Sequence, residues 1–322
     1  MGPLDIGIQS QFGAAKHGTE LANLAGYAAA RGRFDEELGL LIADDSLENP
    51  ATSRPVGNMV VGSVTRVGTN VSGFKIGDTV TAHAPLREEH VVAADRCWVI
   101  PDGVSWKSAV CLDPAQFAVG AVRDGNVRVG DAVAVFGLGA IGLMAVQVAK
   151  AAGASIVIGV DPMLNRRSAG IACGADLVLD PTDCDVGIEL KEATKSRGVD
   201  VAIEYSGSAQ AMQAALRGVA FGGTVMAGAF PPPYGLGLDF GAEAHMNRPQ
   251  IVFSRAVSDP NRDHPRWDQR RIFEACCDLF ESGYLSGDAV VDPVLPFSEL
   301  NTAFMMLMSS LGDAIKRGCH FD

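Results

Sequence analysis

The chain has 322 residues, 48% of them apolar and 20% charged, and its 26 Lys and Arg against 38 Asp and Glu give a formal net charge of −12. That acidity argues against a nucleic-acid groove, which needs a basic stripe to displace counterions, and against docking on an anionic membrane. The length suits about two domains of roughly 100–200 residues, and 37 Gly with only 7% aromatics suit close-packed helices on a sheet. Cys97, Cys111, Cys173, Cys184, Cys276, Cys277 and Cys319 show no paired spacing, so a disulfide framework is not expected and a reducing, cytoplasmic setting is. The N-terminal MGPLDIGIQSQFG lacks the basic start and apolar run of a signal peptide. No apolar window of about 20 residues predicts a membrane span.

In chain order the sequence changes style twice. Over 1–117, VVGSVTRVG (60–68), DTVTA (78–82) and EHVVAADRCWVIP (89–101) predict strands separated by turns. Residues 22–55 read as a polar, partly helical stretch, either a lid or simply a surface excursion. From 118 to 288 strands alternate with helices: AVAVFG (132–137), a helix over 140–153, SIVIGVD (155–161), a helix over 166–175, LVLD (177–180), and a helix over 186–197. VDVAIEYSG (199–207), a helix over 209–220 and GTVMAGAF (223–230) continue the series. Strands separated by helices of this length predict βαβ crossovers and a parallel sheet. The tail from 293 predicts a short helix and a final strand, with the methionines of 305–308 as core packing.

The most specific local signal is VFGLGAIG, with Gly137, Gly139 and Gly142 in GxGxxG spacing, after a β-branched run and at the start of a helix. Gly137 permits the tight turn, Gly139 lets a pyrophosphate approach the backbone, and Gly142 lets helix and strand pack closely. The helix start at Ala140 and Ile141 then offers free N–H groups and a positive dipole end to the phosphates. Asp161 ends the next strand at about the ~20-residue offset expected of a ribose-binding carboxylate. It would accept from both ribose hydroxyls and repel a 2′-phosphate, which favours NAD over NADP, although Arg166 and Arg167 nearby could pair with such a phosphate.

Together with HGTEL (17–21), the run VVGSVTRVGTNVSGFKIGDTV (60–80), EYSG (204–207) and GGTVMAG (222–228), this turn resembles the medium-chain dehydrogenase/reductase superfamily, the zinc-type alcohol and polyol dehydrogenases and their zinc-free relatives. The resemblance covers nearly the whole chain. It implies an α/β fold with a GroES-like β domain from 1–117 and 289–322 and a doubly wound parallel-sheet (Rossmann) domain over 118–288. It also implies that Arg166 lies near the adenosine ribose, Lys316 near the pyrophosphate and Ser206 in the cofactor-side loop. Members usually begin with one more strand before DIGIQSQFGAAKHGTE, so the start reads as trimmed or as a subgroup trait.

The departures from that family concern zinc. Where the zinc enzymes carry Cys, His, and Cys or Glu, the corresponding positions here hold His17, Asn58 and Asp113. Asn is a poor zinc ligand and no second Cys lies nearby, so catalytic zinc is not expected. The four-Cys lobe is missing as well, so neither is structural zinc. Without a metal a side chain must take the hydroxyl proton, and His17 is the first choice. By the resemblance Thr19 would relay protons, Lys16 and Glu20 could orient or polarise, and Asp113 could hold one His17 tautomer; a plain loop histidine is the alternative for His17.

A second polar cluster, HMNRP (245–249) with SRAVSDPNRDHPRW (254–267), offers His245, Asn247 and Arg248 as contacts for a polyhydroxylated or anionic substrate, or else forms a solvated loop with internal ion pairs. Three functions stay open. The first is an NAD-dependent dehydrogenase of a polyol, cyclitol or sugar derivative, expected as a homodimer. The others are a zinc-free quinone or enoyl reductase using NAD(P)H, and a non-catalytic dinucleotide-binding protein.

Overall fold

In the computed structural model, which describes residues 1–16, 18, 20, 32–43, 55–235, 237–255, 262–303 and 314–322, strand β1 (Asp5–Ala14) buries Ile6 and Ile8 and exposes Gln9 and Gln11. A short hairpin follows, β2 (Arg33–Asp35) and β3 (Leu40–Ile42), and then β4 (Met59–Val67), β5 (Thr79–Ala82), β6 (Glu89–Ala93) and β7 (Cys97–Val99). After helices Trp106–Ala109 and Leu112–Asp124, strands and helices alternate from β8 (Ala132–Phe136) and Ala140–Ala151 to β9 (Ile156–Val160), Leu164–Ala172 and β10 (Leu177–Leu179). Next come Val186–Ala193, β11 (Val199–Glu204), Ala209–Gly218, β12 (Val219–Ala227), Glu243–Asn247, β13 (Gln250–Phe253) and Gln269–Glu281. Strands β14 (Val291–Pro296) and β15 (Lys316–His320) close the chain.

The chain divides into two units, 1–100 with 293–322 and 101–292. In the first, a seven-stranded sheet has the order β14-β15-β1-β4-β5-β7, with β6 also on β1. The terminal strand β15 lies antiparallel to β1, with Gly13 opposite Cys319, so both ends of the chain build this sheet. Its core holds Ile6, Ile8, Val60, Val64, Val80 and Cys319. Strand β5 leads to β6 through residues 83–88 alone, which leaves no room for a cysteine lobe between them.

The second unit holds a six-stranded sheet of order β10-β9-β8-β11-β12-β13, and every pair in it is parallel. Strands buried on both faces require continuous apolar runs rather than alternation, and AVAVF of β8 is buried at every position. From β8 the chain builds outward through β9 and β10, then returns to lay β11, β12 and β13 on the other side. The order therefore reverses between β8 and β11, the place where open α/β sheets bind ligands at their carboxyl edges.

The expected strands over 60–68, 78–82 and 89–101 and the βαβ series are all present. Within 22–55 the described residues 32–43 form a hairpin, not a helix; Asp35 folds its carboxylate onto the amides of Glu37 and Leu38 and Gly39 has φ +65°, which closes the turn. The remainder of that stretch, and residues 305–308, lie outside the described residues. Strand β14 escaped the sequence reading because Pro293 and Pro296 interrupt its pattern. Residues 101–117 cluster with the parallel sheet, with helix Leu112–Asp124 packed on Ala140–Ala151.

A Cβ at Gly62 would collide with the Gln9 carbonyl, at the irregular stretch of the β1–β4 ladder. Gly62→Ala is therefore expected to cost about 1–3 kcal/mol, read as a lower urea midpoint with the slope unchanged.

Candidate functional site

The site in the second unit begins where β8 ends. Gly137 turns the chain with φ +85°, and its N–H donates to the Val160 carbonyl at 2.9 Å. A Cβ on Gly142 would collide with the Gly137 carbonyl, and a Cβ on Gly137 would press to 2.7 Å from the Ser206 nitrogen. Gly139 is different: nothing lies within 4 Å of where its Cβ would be. It is the N-cap of helix Ala140–Ala151, and no side chain caps that end. Uncapped first-turn amides beside open space form an anion-binding end, so Gly137, Gly139, Ala140, Ile141 and Gly142 fit a dinucleotide pyrophosphate.

Asp161, the residue after β9, is 2% exposed. Its Oδ2 accepts from the Leu138 amide and its Oδ1 from the Met163 amide, both at 2.9 Å. Arg166 lies 3.6 Å from Oδ2. The carboxylate thus ties the glycine turn to the start of the next helix, a structural task that the sequence reading did not assign to it. Each oxygen still has a second lone pair that a ribose hydroxyl could use. Arg167 is committed elsewhere, to the Asp161 carbonyl at 2.8 Å and to Asp180 at 2.7 Å.

At the end of β11, across the switch point, Glu204 is fully buried. Its Oε1 accepts from the amides of Ser206 (2.6 Å) and Gly207 (2.9 Å) and from the Ser206 hydroxyl. This capture holds Ser206 against Gly137. The Oε2 oxygen is buried with no hydrogen-bond partner, and burial raises the carboxyl above its ordinary 4.5 despite the three donors. A carboxylate serving its own chain two and three residues on is familiar for Asp; with Glu the longer reach hides the turn from sequence.

In the first unit, β1 ends at Ala14 and the turn before β4 carries Gly57 and Asn58. Glu20 bridges them: Oε2 accepts from the Lys16 amide at 2.9 Å and Oε1 from the Gly57 amide. Its carboxyl is raised by burial, opposed by those two amides and by the charges of Lys316 and Lys16. Lys316 is 3% exposed and donates to the Ala15 carbonyl at 2.9 Å. Asn58 keeps both amide atoms buried without a hydrogen-bond partner. His17 and Thr19 lie outside the described residues. Asp113 is buried in the second unit, in the first turn of helix Leu112–Asp124.

His245, Asn247 and Arg248 precede β13, and Arg248 stacks on Phe221 at 4.7 Å near the start of β12. That is the amino edge of the parallel sheet, opposite the carboxyl edge where Gly137, Asp161 and Ser206 converge. After β13, Asp263 pairs with Arg123 of helix Leu112–Asp124, and Arg123 and Arg271 both stack on Trp267. Burial raises the thiols of Cys97, Cys277 and Cys319 to about 12, so none of these is a thiolate nucleophile. Among the described residues no three His, Cys, Asp or Glu gather as a metal site, and no helix is long and apolar enough to cross a membrane.

Comparison with known proteins matches residues 140–262 to the zinc-binding dehydrogenase family model. The chain is 44% identical to the D-guloside 3-dehydrogenase of Escherichia coli K12, over 98% of this chain and 93% of that protein. In structure it superposes on the 2R,3R-butanediol dehydrogenase of Bacillus subtilis with a TM-score of 0.77 at 22% identity, covering 99% of this chain and 93% of that one. It also superposes on an alcohol dehydrogenase of Escherichia coli CFT073 solved with NADH, with a TM-score of 0.73 at 17% identity, covering 99% and 93%.

Two outcomes follow from the second unit. Gly137→Ala forces a Cβ into a left-handed turn and against Ser206, a strain of about 1–3 kcal/mol, so NADH affinity by fluorescence titration should fall roughly tenfold. For Glu204, the folded chain keeps a proton above pH 4.5 that the unfolded chain has released. Stability should therefore fall as pH rises from 4.5 through the raised value, and Glu204→Gln should flatten that slope in denaturation measured across this range.

Proposed function

The chain belongs to the zinc-binding dehydrogenase family, and from that premise we propose that it is an NAD-dependent dehydrogenase of a polyol, cyclitol or sugar derivative that works without a catalytic zinc. It is an oxidoreductase of the medium-chain type. The observation that carries the metal-free reading is Asn58. At the position where the resemblance expects a histidine ligand stands a neutral amide, buried and unpartnered, while the neighbouring Glu20 carboxylate is spent on two backbone amides. An amide is not among the thiolate, imidazole and carboxylate groups that zinc takes.

The nicotinamide, when bound, supplies the hydride acceptor. The chain must then hold the alcohol and take its proton. His17 accepts the hydroxyl proton, with Thr19 as relay. Lys16 adds positive charge near the developing alkoxide. Asn58 offers two donors and an acceptor to a substrate hydroxyl, and the D-guloside named for the 44% identical relative is such a polyhydroxylated compound.

The preference for NAD over NADP rests on Asp161, a carboxylate at the ribose position that would repel a 2′-phosphate, with Arg166 at 3.6 Å as its counterion. Ser206, held by Glu204, borders the cofactor. His245, Asn247 and Arg248, the polar segment before β13, remain the candidate contacts for a polyhydroxylated substrate from the second unit. Strand β13, the sheet edge where Ile251 is 38% and Phe253 80% exposed, suits a homodimer contact in a cytoplasmic enzyme.

The test is NAD reduction followed at the NADH absorbance with a panel of sugars, glycosides and cyclitols. Wild type should turn over a member of that panel, and His17→Ala should lower kcat about 10²–10⁴-fold, the scale of a lost general base, with NADH affinity kept. Full activity in His17→Ala would overturn the assignment of the base, and strong use of NADPH with little of NADH would overturn the cofactor preference.

A further inference from the structure

We propose that Glu204 is a positioning residue for the nicotinamide half of the dinucleotide, tying the turns after β11 and β12 into one rigid floor at the carboxyl edge of the parallel sheet. This deepens the dehydrogenase reading and rests on it for the identity of the ligand. Val160, Phe136, Glu204, Ala227 and Phe253, which close β9, β8, β11, β12 and β13, stand in register across the sheet. The turns that follow them therefore share one level. With the adenosine ribose on Asp161 beside β9 and the pyrophosphate on the glycine turn after β8, a dinucleotide crossing the switch point lays its other half over β11 and β12.

Both of those turns are tied at Glu204. Its Oε1 takes the amides of Ser206 and Gly207 and the Ser206 hydroxyl. Its backbone carbonyl accepts from the amides of Gly228 at 3.0 Å and Ala229 at 3.3 Å. The Ser206 hydroxyl passes the hold along: it accepts from the Ser208 amide at 3.1 Å, and Ser208 caps helix Ala209–Gly218 through the Ala211 amide. The two turns also pack on each other. A Cβ on Gly228 would lie 2.5 Å from the Tyr205 ring, and one on Gly207, where φ is +71°, would lie 3.4 Å from Pro231. Tyr205 is fixed in turn, its amide donating to the Phe136 carbonyl at 2.9 Å and its hydroxyl to the Phe117 carbonyl at 3.1 Å.

Glu204 is fully buried, so it acts on the cofactor through these turns and not by contact. A floor held in one arrangement before the ligand arrives avoids the cost of ordering it on binding. A loose floor takes that cost from the nicotinamide half alone. ADP stops at the glycine turn, which is held from the other side by the Asp161 carboxylate on the Leu138 amide and by the Val160 carbonyl on the Gly137 amide. The two ligands therefore separate a role in positioning the nicotinamide from a general role in stability.

The experiment compares wild type, Glu204→Leu and Glu204→Gln at one pH in three measurements: backbone amide exchange, NADH fluorescence titration and ADP calorimetry. Leucine fills the buried space without an acceptor, while glutamine keeps one oxygen for the amides. In Glu204→Leu the amides of Ser206 and Gly207 should exchange about tenfold faster or more. The NADH dissociation constant should rise about tenfold to a hundredfold, while that of ADP should stay within about twofold, since a loosened contact acts only where it is made. Glu204→Gln should show the same split with a rise of about threefold for NADH, so the split is still read if the leucine variant does not fold. Equal losses of NADH and ADP affinity overturn the positioning role, as does unchanged exchange or unchanged NADH affinity in Glu204→Leu. Wild type that binds NADH no tighter than ADP overturns it as well. If wild type binds neither ligand, the dinucleotide reading fails, and amide exchange still decides whether Glu204 ties the two turns.

Discussion

The contact between the Gly137 carbonyl and the Cα of Gly142 sets the level of everything at the carboxyl edge of the parallel sheet. There is no room for a Cβ in it, so the helix Ala140–Ala151 can start immediately under β8 and present its uncapped end to the switch point. Two carboxylates then hold the surrounding turns to that level. Asp161 takes the Leu138 amide from one side, and Glu204 folds Ser206 against Gly137 from the other. Both are buried. Each makes a turn rigid by accepting backbone N–H groups that would otherwise be left without partners, so the cradle for phosphates is built before any ligand arrives.

The first unit repeats the device for a different purpose. Glu20 accepts from two backbone amides that belong to separate segments, Lys16 and Gly57. In both units, then, a carboxylate is used as a backbone clamp.

Much of this was legible in sequence where a local rule carries the structure. The glycine turn was readable because backbone approach allows no other residue at Gly142, and the parallel sheet because a strand buried on both faces cannot alternate. Asn58 was singled out only through the family resemblance, which sets it at a ligand position where an amide is a poor zinc donor. The amino-edge location of His245, Asn247 and Arg248 was not legible, because composition shows that a segment is polar and not which end of a sheet it occupies. The clamps of Glu20 and Glu204 were also hidden: a glutamate that bonds backbone amides leaves no periodic trace, and the Glu20–Gly57 pair spans 37 residues. The hairpin at 33–42 lost to a polar, helix-like composition that its Asp35 turn overrides.

The central claim is that alcohol oxidation here does not depend on zinc, and the most direct measurement sets activity against metal content. Protein purified from cells grown with added zinc and protein stripped by a chelator would be assayed for zinc per chain and for kcat on the same glycoside. Metal-free chemistry predicts the same kcat in both preparations, however much zinc each carries. A kcat that rises in proportion to bound zinc, and is restored when zinc is returned to the stripped enzyme, would contradict it.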